Sequence, residues 1–328
     1  MDKKVVILLA TYQGSEFLRA QLNSLIEQTY TAWELFVRDD GSKDSTVQLL
    51  LEYAARDHRI NVVQAAPGNL GSCGNFAYLL ELSLTKLPAY VMFCDQDDVW
   101  LATKIAKTLE VMAETEKRCG AKTPVLIHTD LQVVDQDLVQ IAASFEQYSK
   151  INPSSPQPLN RLLAQNYIFG CTMMLNASLV RAVVPVPKEA EGHDYWAALM
   201  AAALGEIVYY PAATILYRQH SSNVTGLKEG SLKNNLLRHF SQQGWSKTNK
   251  TVDNRLQQAA RLRQRIQTQI SPQQRALLTD FLSAASQGGL KAVLTARRQG
   301  IRRQGLIKTL VFYISLTRKK KALDLTKV

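Results

Sequence analysis

The chain of 328 residues is 46% hydrophobic and 20% charged, a composition typical of one large globular domain or two smaller ones. Its net charge of +11 is concentrated in residues 291–328, which hold eleven Lys and Arg residues and one acid, so the remaining body is close to neutral and no nucleic-acid partner is expected. Four widely spaced cysteines without a CxxC pair argue against a disulfide framework or a zinc site and favour free thiols in a reducing cytoplasm, and no apolar run reaches the roughly 18 residues that span a bilayer.

Short segments rich in β-branched and aromatic residues alternate with segments of helical period along the first 130 residues. The N-terminal apolar segment is too short for a secretory signal and is expected to be a strand. Predicted strands cover 4–10, 33–38, 60–64, 89–94 and 125–129. Predicted helices cover 15–28, 44–56, 73–86 and 102–118. Strand followed by helix, repeated four times, predicts an α/β fold with a mainly parallel sheet flanked by helices.

The pattern changes after about residue 150, where a turn-rich connector at 152–158 begins the second half of the chain. Further predicted elements are a helix at 159–165, a strand at 168–175, a helix near 193–204 and a strand at 206–210. Residues 228–304 are helical in character, with a break at 271–274. We therefore expect a helical C-terminal extension on the α/β body.

Polar and acidic residues follow four of the predicted strands, at the sheet edge where parallel sheets bind ligands. These loops cover 11–14, 38–42, 68–71 and 95–98. Neither GxGxxG nor GxxxxGK[ST] occurs, so a glycine-rich phosphate loop is not expected. In the second loop, an Asp-Gly turn followed by a helix cap accounts for Asp44 but does not require Asp39 and Asp40 together.

Asp95 and Asp97 lie two positions apart, directly after a predicted buried strand. Two carboxylates held so close repel each other unless a cation or a proton lies between them. Hard oxygen ligands favour Mg²⁺ or Mn²⁺, and magnesium is commonly held by one or two carboxylates together with substrate phosphates. The pair therefore suggests a divalent ion that bridges a diphosphate. Spacing alone leaves open an alternative, an exposed turn that caps the helix near Leu101.

Six segments, in order, resemble family 2 glycosyltransferases of the GT-A fold, and the resemblance covers about residues 3–225. They are ATYQG, RDDGSKDST, GNLGSCGNF, CDQDDVW, GHDYW and YRQHSSN. The resemblance implies an inverting, metal-dependent transfer of a sugar from a nucleotide-diphosphate donor. It also implies a catalytic domain at 1–225, with a nucleotide-binding half at 1–130 and an acceptor-binding half at 131–225, followed by a helical region at 226–328.

The family implies roles for the residues of the nucleotide loops. Thr11 and Tyr12 would line the base pocket, and Asp40 would contact the base or the ribose. The loop that contains Asn69 would close over the nucleotide. These residues follow three different strands, so their convergence at one sheet edge is what the resemblance requires.

The family also implies roles around the diphosphate. Asp95 and Asp97 match the DxD motif, which holds Mg²⁺ or Mn²⁺ and the ribose-diphosphate. His220 would be a further contact to the metal or the diphosphate. Arg218 would neutralise diphosphate charge, or would pair with a surface acid.

On the acceptor side, Asp194 matches the family's general base, a role that contributes on the order of 10²–10⁴-fold to a rate. His193 is the competing base by pKa alone, or a local hydrogen-bonding partner. Trp100 and Trp196 would stack on sugar rings or belong to the core. Asp98 lies outside the DxD spacing and is assigned to the acceptor side or to a cap on the helix after Trp100.

DQDDVW, HDYW and YRQH together most resemble the bacterial rhamnosyltransferases that use dTDP-L-rhamnose to build cell-wall or O-antigen polysaccharide. A UDP-hexose donor is the first alternative. A catalytically inactive nucleotide-sugar-binding protein is a second, from another class, although intact Asp95, Asp97 and Asp194 argue against it. The implied acceptor is a glycan on undecaprenyl diphosphate, and a homodimer is a further possibility.

Residues 297–321 place an apolar stretch of eleven residues, LIKTLVFYISL, between two basic clusters. It is too short to span a bilayer, but a helix in the headgroup plane fits, and each Lys or Arg near an anionic leaflet adds about 1 kcal/mol. We therefore expect residues 291–328 to hold the chain at the inner face of the cell membrane. Packing of this tail on the body or on a second subunit is the alternative.

Overall fold

The computed structural model describes residues 3–64, 68–220 and 242–318, which form one sheet with helices on both faces. The first half contains β1 (Val5–Thr11), α1 (Ser15–Ile26), β2 (Trp33–Asp39), α2 (Thr46–Arg56), β3 (Ile60–Val62), α3 (Gly71–Leu84), β4 (Tyr90–Cys94), β5 (Val99–Trp100), α4 (Lys104–Cys119) and β6 (Val125–Val134). The predicted alternation of strands and helices is therefore confirmed, and only the two-residue β5 was not foreseen.

The second half contains β7 (Gln140–Ala142), α5 (Phe145–Ser149), α6 (Pro158–Leu162), β8 (Met173–Asn176), α7 (Ala177–Val183), α8 (His193–Leu204), β9 (Glu206–Arg218), α9 (Gln242–Ile266), α10 (Pro272–Gln287), α11 (Gly289–Arg298) and α12 (Leu306–Leu316). The strand predicted from residue 168 begins only at Met173, because residues 170–172 form a 3-10 turn. The predicted break at 271–274 is the start of α10, where Ser271 and Gln274 form a capping box.

The strands are arranged in the order β3-β2-β1-β4-β8-β6-β9-β5, and β7 pairs with β6. β3, β2, β1 and β4 are parallel, whereas β8 runs antiparallel to both β4 and β6. Periodicity does not encode strand direction, so this change from a parallel to a mixed sheet was not visible in the sequence. Thr11 at the end of β1 lies opposite Asp39 at the end of β2, which brings the first two polar loops to one edge.

Each face of the sheet is covered by its own hydrophobic core, because successive side chains of a strand point to opposite faces. In β1, Val6 and Leu8 enter one core, while Val5, Ile7 and Leu9 enter the other. Helices α1, α2 and α4 cover the second core, and α3, α6, α7 and α8 cover the first. The loops at the strand ends are thus carried by a framework that is rigid on both sides.

The C-terminal helices α9 to α12 share the core of α8 rather than forming a separate one. Leu256, Phe281 and Phe312 are buried in the same cluster as Trp196. The predicted domain boundary between residues 225 and 226 lies outside the described residues, so the division into two regions stays a prediction. Among the described helices, none combines the length and the apolar character needed to cross a bilayer.

Candidate active site

The loops after β1 and β2 are joined by hydrogen bonds to the Asp39 carboxylate. The Thr11 hydroxyl donates to Asp39 Oδ1 at 2.9 Å, and the amides of Gly41 and Ser42 donate to Asp39 Oδ2 at 3.0 and 2.7 Å. The Gln13 amide donates to the Ser42 hydroxyl at 2.8 Å. Thr11 is only 1% exposed, and its hydroxyl helps to hold this loop in place. Its contact with the nucleotide base stays a prediction.

Tyr12 is held beside the acidic loop after β4 by a paired amide contact. Its backbone amide donates to Gln96 Oε1 at 2.9 Å, and Gln96 Nε2 donates back to the Tyr12 carbonyl at 3.0 Å. A Cβ atom at Gly14 would lie 2.3 Å from Gln96 Oε1, so a larger residue there would displace the Gln96 amide. The Tyr12 side chain is 51% exposed, which leaves its ring available to a ligand such as a nucleotide base.

Asp44 connects the starts of α1 and α2. Its carboxylate accepts from the amides of Ser15 and Thr46, both at 3.1 Å, and from the Thr46 hydroxyl at 2.6 Å. Partial burial works to raise the pKa of Asp44, but the hydrogen bonds from Thr46 and Ser15 outweigh it and lower the pKa to about 2. Asp44 lies one residue before the N-cap, Ser45, yet it performs the capping task expected of it.

Asp40 forms a buried ion pair with Arg38 and supports the loop that contains Asn69. Arg38 Nη1 lies 2.7 Å from Asp40 Oδ1, and both side chains are almost fully buried. The amides of Leu70 and Gly71 donate to the two carboxylate oxygens, each at 2.8 Å. Asn69 Nδ2 donates to the Asp40 carbonyl at 3.2 Å. Both oxygens of Asp40 therefore already have protein partners, and its direct contact with a base or ribose stays a prediction.

Asp95, Asp98 and Cys171 form a group whose ligand atoms all lie within 4.8 Å of one another. Burial, then the charges of Asp97 and Asp194, raise the pKa of Asp95 to about 7. Asp98 Oδ2 is buried with no hydrogen-bond partner among the described residues. Crowded carboxylates and an unpartnered oxygen fit a divalent cation, although a thiol is not a ligand that Mg²⁺ prefers.

Asp97 lies beside this group and contacts His220. Asp97 Oδ2 is 2.9 Å from His220 Nε2, and the imidazole packs against the ring of Phe17 with centroids 4.8 Å apart. Asp97 and His220, both assigned to the metal, are thus in direct contact, but they lie outside the group formed by Asp95, Asp98 and Cys171, so their metal role stays a prediction.

Asp98 differs from its sequence assignments. Its side chain is fully buried, and Oδ1 accepts from the Arg218 amide at 3.2 Å. The N-cap of α4 is Thr103, so the assignment of Asp98 as a helix cap is wrong. Contact with an acceptor is also unsupported, because no part of the carboxylate is exposed. Its position one residue after the DxD motif turns it inward, towards Cys171.

Arg218, at the end of β9, forms hydrogen bonds to the backbone of the acidic loop after β4. Its Nε donates to the Asp97 carbonyl at 2.8 Å, and Nη1 donates to the carbonyl of Gln136. The guanidinium also lies 4.6 Å from the centroid of the Phe17 ring. Arg218 is almost fully buried, so these contacts support a positioning role rather than pairing with a surface acid.

Asp194 lies in the first turn of α8, where the helix dipole favours a carboxylate. The Tyr195 amide donates to Oδ1 at 2.7 Å, and Asn166 Nδ2 donates to Oδ2 at 3.2 Å. A Cβ atom at Gly192 would lie 2.4 Å from Oδ1, so a larger residue there would displace this carboxylate. Burial raises the pKa of Asp194 to about 6, against the lowering effect of the Tyr195 amide, Asn166 and the Gly170 backbone. Hydrogen bonds thus fix the position of this carboxylate, and its negative charge contributes to the raised pKa of Asp95.

His193 is a packed aromatic side chain. Its ring stacks on Phe76 with centroids 4.0 Å apart and meets Phe93 edge-on at 4.6 Å. Burial lowers the pKa of His193 to about 3, and Nε2 has no partner among the described residues. A group of that pKa is a weaker base than Asp194, whose pKa is about 6, so the competing assignment of the base to His193 is not supported.

Trp100 and Trp196 are core residues. They are 2% and 1% exposed and belong to the two cores on opposite faces of the sheet. Trp196 Nε1 donates to the Val183 carbonyl at 2.9 Å, and the Lys104 ammonium lies 4.7 Å from the centroid of the Trp100 ring. The structure thus favours the core alternative, because neither indole face is open to a sugar.

Asn166, Gly170 and Cys171 are site residues that the sequence did not reveal. They lie between α6 and β8, where Gly170 and Cys171 fall within the predicted strand at 168–175 and Asn166 precedes it. Asn166 and Gly170 reach Asp194, 28 and 24 positions further along, and Cys171 reaches the acidic loop after β4. No spacing motif links these positions, so only the folded chain reveals them.

Two solved structures share the architecture of this chain. A Staphylococcus aureus structure, TarS residues 1–349 in complex with UDP, aligns over 91% of this chain and 92% of its own, with a TM-score of 0.50 and 16% identity. The mannosyltransferase PcManGT from Pyrobaculum calidifontis, in complex with GDP-Man and Mn²⁺, aligns over 91% of this chain and 74% of its own, with a TM-score of 0.52 and 14% identity. At these identities the likeness shows the fold, which is the GT-A fold expected from the sequence.

Sequence comparison identifies the family. Residues 6–179 match the family model of glycosyl transferase family 2. The chain is 32% identical to the putative teichuronic acid biosynthesis glycosyltransferase TuaG of Bacillus subtilis over 110 residues, 34% of this chain and 42% of TuaG. It is 23% identical to the dTDP-rhamnosyl transferase RfbG of Shigella flexneri over 227 residues, 66% of this chain and 73% of RfbG. Because the family model covers more than half of the sequence, the chain belongs to glycosyl transferase family 2.

Proposed function

We propose that this chain is an inverting glycosyltransferase in which Asp194 removes the proton from the acceptor hydroxyl. The carrying observation is the Asp194 carboxylate, held by the Tyr195 amide and Asn166 with a pKa of about 6. Near neutral pH such a group is mostly ionised and still basic enough to accept a proton as the new bond to the sugar forms. Its electrostatic effect on Asp95 supports a base close to the donor's diphosphate.

The same proposal includes a divalent ion, Mg²⁺ or Mn²⁺, held by Asp95 together with Asp97 or Asp98. When bound, the ion would neutralise charge on the leaving diphosphate. The unpartnered Oδ2 of Asp98 supports its inclusion in the ligand set. Arg218 would keep the acidic loop in position by holding the Asp97 carbonyl.

For the donor we favour dTDP-L-rhamnose, with a UDP-hexose as the alternative. The alignment with RfbG, a dTDP-rhamnosyl transferase, supports rhamnose because it covers 73% of that protein. Escherichia coli WfgD, 31% identical over 111 residues and 42% of its length, is a UDP-Glc:alpha-D-GlcNAc-diphosphoundecaprenol beta-1,3-glucosyltransferase and supports the alternative. The diphosphoundecaprenol acceptor in the name of WfgD supports an acceptor glycan carried on undecaprenyl diphosphate, as expected for cell-surface polysaccharide synthesis.

A panel of nucleotide sugars with Mg²⁺ or Mn²⁺, scored for slow donor hydrolysis or transfer, tests this function. We expect hydrolysis of dTDP-L-rhamnose that is lost in EDTA and in Asp194→Asn, while Asp194→Asn still binds the donor. Activity with UDP-sugars alone would reject the rhamnose donor. Donor binding without turnover in the wild-type chain would support the inactive nucleotide-sugar-binding protein instead.

We further propose that α11 and α12 hold the chain on an anionic membrane at the cytoplasmic face. α12 exposes Leu306, Ile307, Leu310 and Ile314 along one side, with Leu306 91% exposed, while its opposite side is packed into the core. The preceding helix, α11, carries the exposed basic residues Lys291, Arg297 and Arg298. The basic cluster at 319–321 lies outside the described residues.

Vesicle sedimentation with a surface variant tests this membrane contact. Deletion of residues 291–328 would uncover the core, because Phe312 and Leu316 are buried in it. Leu310→Glu is the sharper variant, and Leu51→Glu on α2 is its matched control, because both leucines are 56% exposed. We expect only Leu310→Glu to weaken binding to phosphatidylglycerol vesicles. Equal binding by the two variants would reject the proposed surface.

A further inference from the structure

Gln96, the middle residue of the DxD motif, continues the pairing of β1 and β4 beyond the end of their backbone ladder. The last paired residues of these two parallel strands are Leu9 and Cys94. Past this point, the Gln96 side chain accepts from the Tyr12 amide at 2.9 Å and donates to the Tyr12 carbonyl at 3.0 Å. A primary amide carries both a donor and an acceptor, so Gln96 satisfies both backbone groups of Tyr12 as a neighbouring strand would.

The loop that contains Tyr12 is held on its other side by the loop after β2. Gln13 has a left-handed backbone conformation, with φ of 50°, which residues other than glycine rarely adopt. Its Oε1 accepts from two consecutive backbone amides of the loop after β2, at 2.6 and 3.2 Å. The Gly14 amide donates to the Thr46 hydroxyl at 2.9 Å. Gln96 therefore contacts a loop whose conformation is also fixed by other neighbours.

The acidic loop after β4 is attached to its surroundings at two points. On one side, Arg218 Nε donates to the Asp97 carbonyl at 2.8 Å. On the other side lies the contact of Gln96. Within the described parts of the chain, its two hydrogen bonds are the ones that join residues 11–14 to residues 95–98. Gln96 thus fixes the spacing between the two loops.

Gly14 provides the space that this contact needs. A Cβ atom at Gly14 would lie 2.3 Å from Gln96 Oε1 and 2.6 Å from the amide carbon. The φ of Gly14, −109°, is accessible to alanine, so packing against Gln96 restricts this position more than backbone conformation does. If the Gln96 side chain were removed, this restriction at Gly14 should disappear with it.

We propose that Gln96 is a positioning residue that sets the distance between the loop after β1 and the acidic loop, so that one nucleotide diphosphate reaches both. This inference rests on the proposed function for its ligand, a nucleotide diphosphate with a divalent ion. A ligand whose two ends bind separate loops gains affinity only when the spacing of the loops matches its length. Loss of the contact should therefore weaken binding of the whole nucleotide more than binding of either end.

Comparison of the whole nucleotide with its separate ends tests this role. Equilibrium dialysis of the full chain with Mn²⁺ measures dTDP or UDP, whichever binds the wild type more tightly, and the matching nucleoside, thymidine or uridine. Electron paramagnetic resonance measures the binding of Mn²⁺ alone. We expect Gln96→Ala to weaken nucleotide binding about tenfold, because two hydrogen bonds are lost, and to change the affinities for nucleoside and Mn²⁺ less than about twofold.

The control is Gln48→Ala on α2, where an exposed glutamine donates to Glu52 at 3.2 Å. It should change none of the three affinities. A general structural defect in Gln96→Ala would weaken nucleotide, nucleoside and Mn²⁺ in parallel, and that result would overturn the proposal. Unchanged nucleotide binding by Gln96→Ala would overturn it as well, as would a wild type that binds neither nucleotide more tightly than its nucleoside.

Gly14→Ala approaches the same contact from the other loop. Its methyl group would displace the Gln96 amide, so this variant should also weaken nucleotide binding selectively. The double variant Gly14→Ala/Gln96→Ala has room for the methyl group and should bind the nucleotide no more weakly than Gln96→Ala alone. Losses that add in the double variant would mean that the two residues act independently, and would overturn the proposal.

Donor hydrolysis reports the proposed function separately. Selective loss of nucleotide affinity in Gln96→Ala, with no hydrolysis or transfer by the wild type, would keep the positioning role and remove the glycosyltransferase. Transfer by the wild type, with equal nucleotide binding by wild type and Gln96→Ala, would keep the glycosyltransferase and remove the positioning role.

Discussion

The loop after β2 and the first turn of α8 each hold a carboxylate through several hydrogen bonds, and the two differ in the charge that faces the carboxylate. Asp40 receives a guanidinium and two backbone amides. Asp194 receives the Tyr195 amide and the side-chain amide of Asn166, and among the described residues it forms no ion pair. The buried ion pair stabilises a loop, whereas neutral donors orient the Asp194 carboxylate without a compensating positive charge.

The pKa of Asp194 reflects this arrangement. Three donors hold its carboxylate, but burial still raises its pKa to about 6. It is therefore oriented firmly without being fully stabilised as an anion, which is what proton removal from an acceptor requires. The partners of these two carboxylates thus distinguish a structural role for Asp40 from the proposed catalytic role of Asp194.

The largest expected effect comes from neutralising Asp194. Asp194→Asn keeps the size of the side chain but removes the base, so kcat should fall on the order of 10²–10⁴-fold with the donor affinity unchanged. Rates of sugar transfer and donor titrations measure the two quantities. Asp280→Asn, at an exposed site on α10, is the control. Transfer at the wild-type rate would remove Asp194 from its role.

Breaking the buried ion pair between Arg38 and Asp40 should lower the stability of the protein. Asp40→Ala leaves Arg38 buried without its partner and frees the amides of the Asn69 loop, so the free energy of unfolding should fall by about 3–5 kcal/mol. Urea unfolding checks this value. Glu110→Ala removes the partner of Lys107 in an exposed pair and should cost about 1 kcal/mol or less. Similar losses for both variants would contradict the contrast between the two pairs.

Removing a hydrogen bond from the Asp194 carboxylate should raise its pKa. Asn166→Ala removes a hydrogen bond that favours the carboxylate, so the pKa of Asp194 should rise by roughly one unit. Since the base acts when ionised, the rising limb of the kcat–pH profile should move upward from about 6, with recovery of kcat at higher pH. Asn61→Ala, on β3, is the control, and a loss of kcat that is equal at every pH would indicate a different role.

The smallest effect is expected at Asp44, a satisfied but exposed charge. Its pKa is lower in the folded state, about 2 instead of 3.8, so its contribution is present above pH 3.8 and disappears as the pH falls towards 2. Asp44→Ala should therefore cost about 1 kcal/mol near neutral pH, since solvent screening limits exposed charges, and little in strong acid. Urea unfolding of both proteins across this pH range is the measurement, and a pH-independent difference would contradict it.

Local patterns predicted most elements because they depend on nearby residues. α8 begins and ends at the predicted positions, His193 and Leu204, where a glycine stands on either side. β9 runs beyond its predicted end at residue 210 to Arg218, because its far half pairs with β6 and β5. The pairing partner, which is distant in sequence, decides where such a strand ends.

The sequence by itself determined the α/β fold, the family and the polar residues at the strand ends, because parallel strands bring their carboxyl ends to one edge. Only the tertiary structure decided that Trp100 and Trp196 are buried, that Asp98 turns inward towards Cys171, and that Asn166 holds Asp194. The reason is physical: satisfaction of a buried polar group depends on atoms that folding brings close, not on residues that are neighbours along the chain.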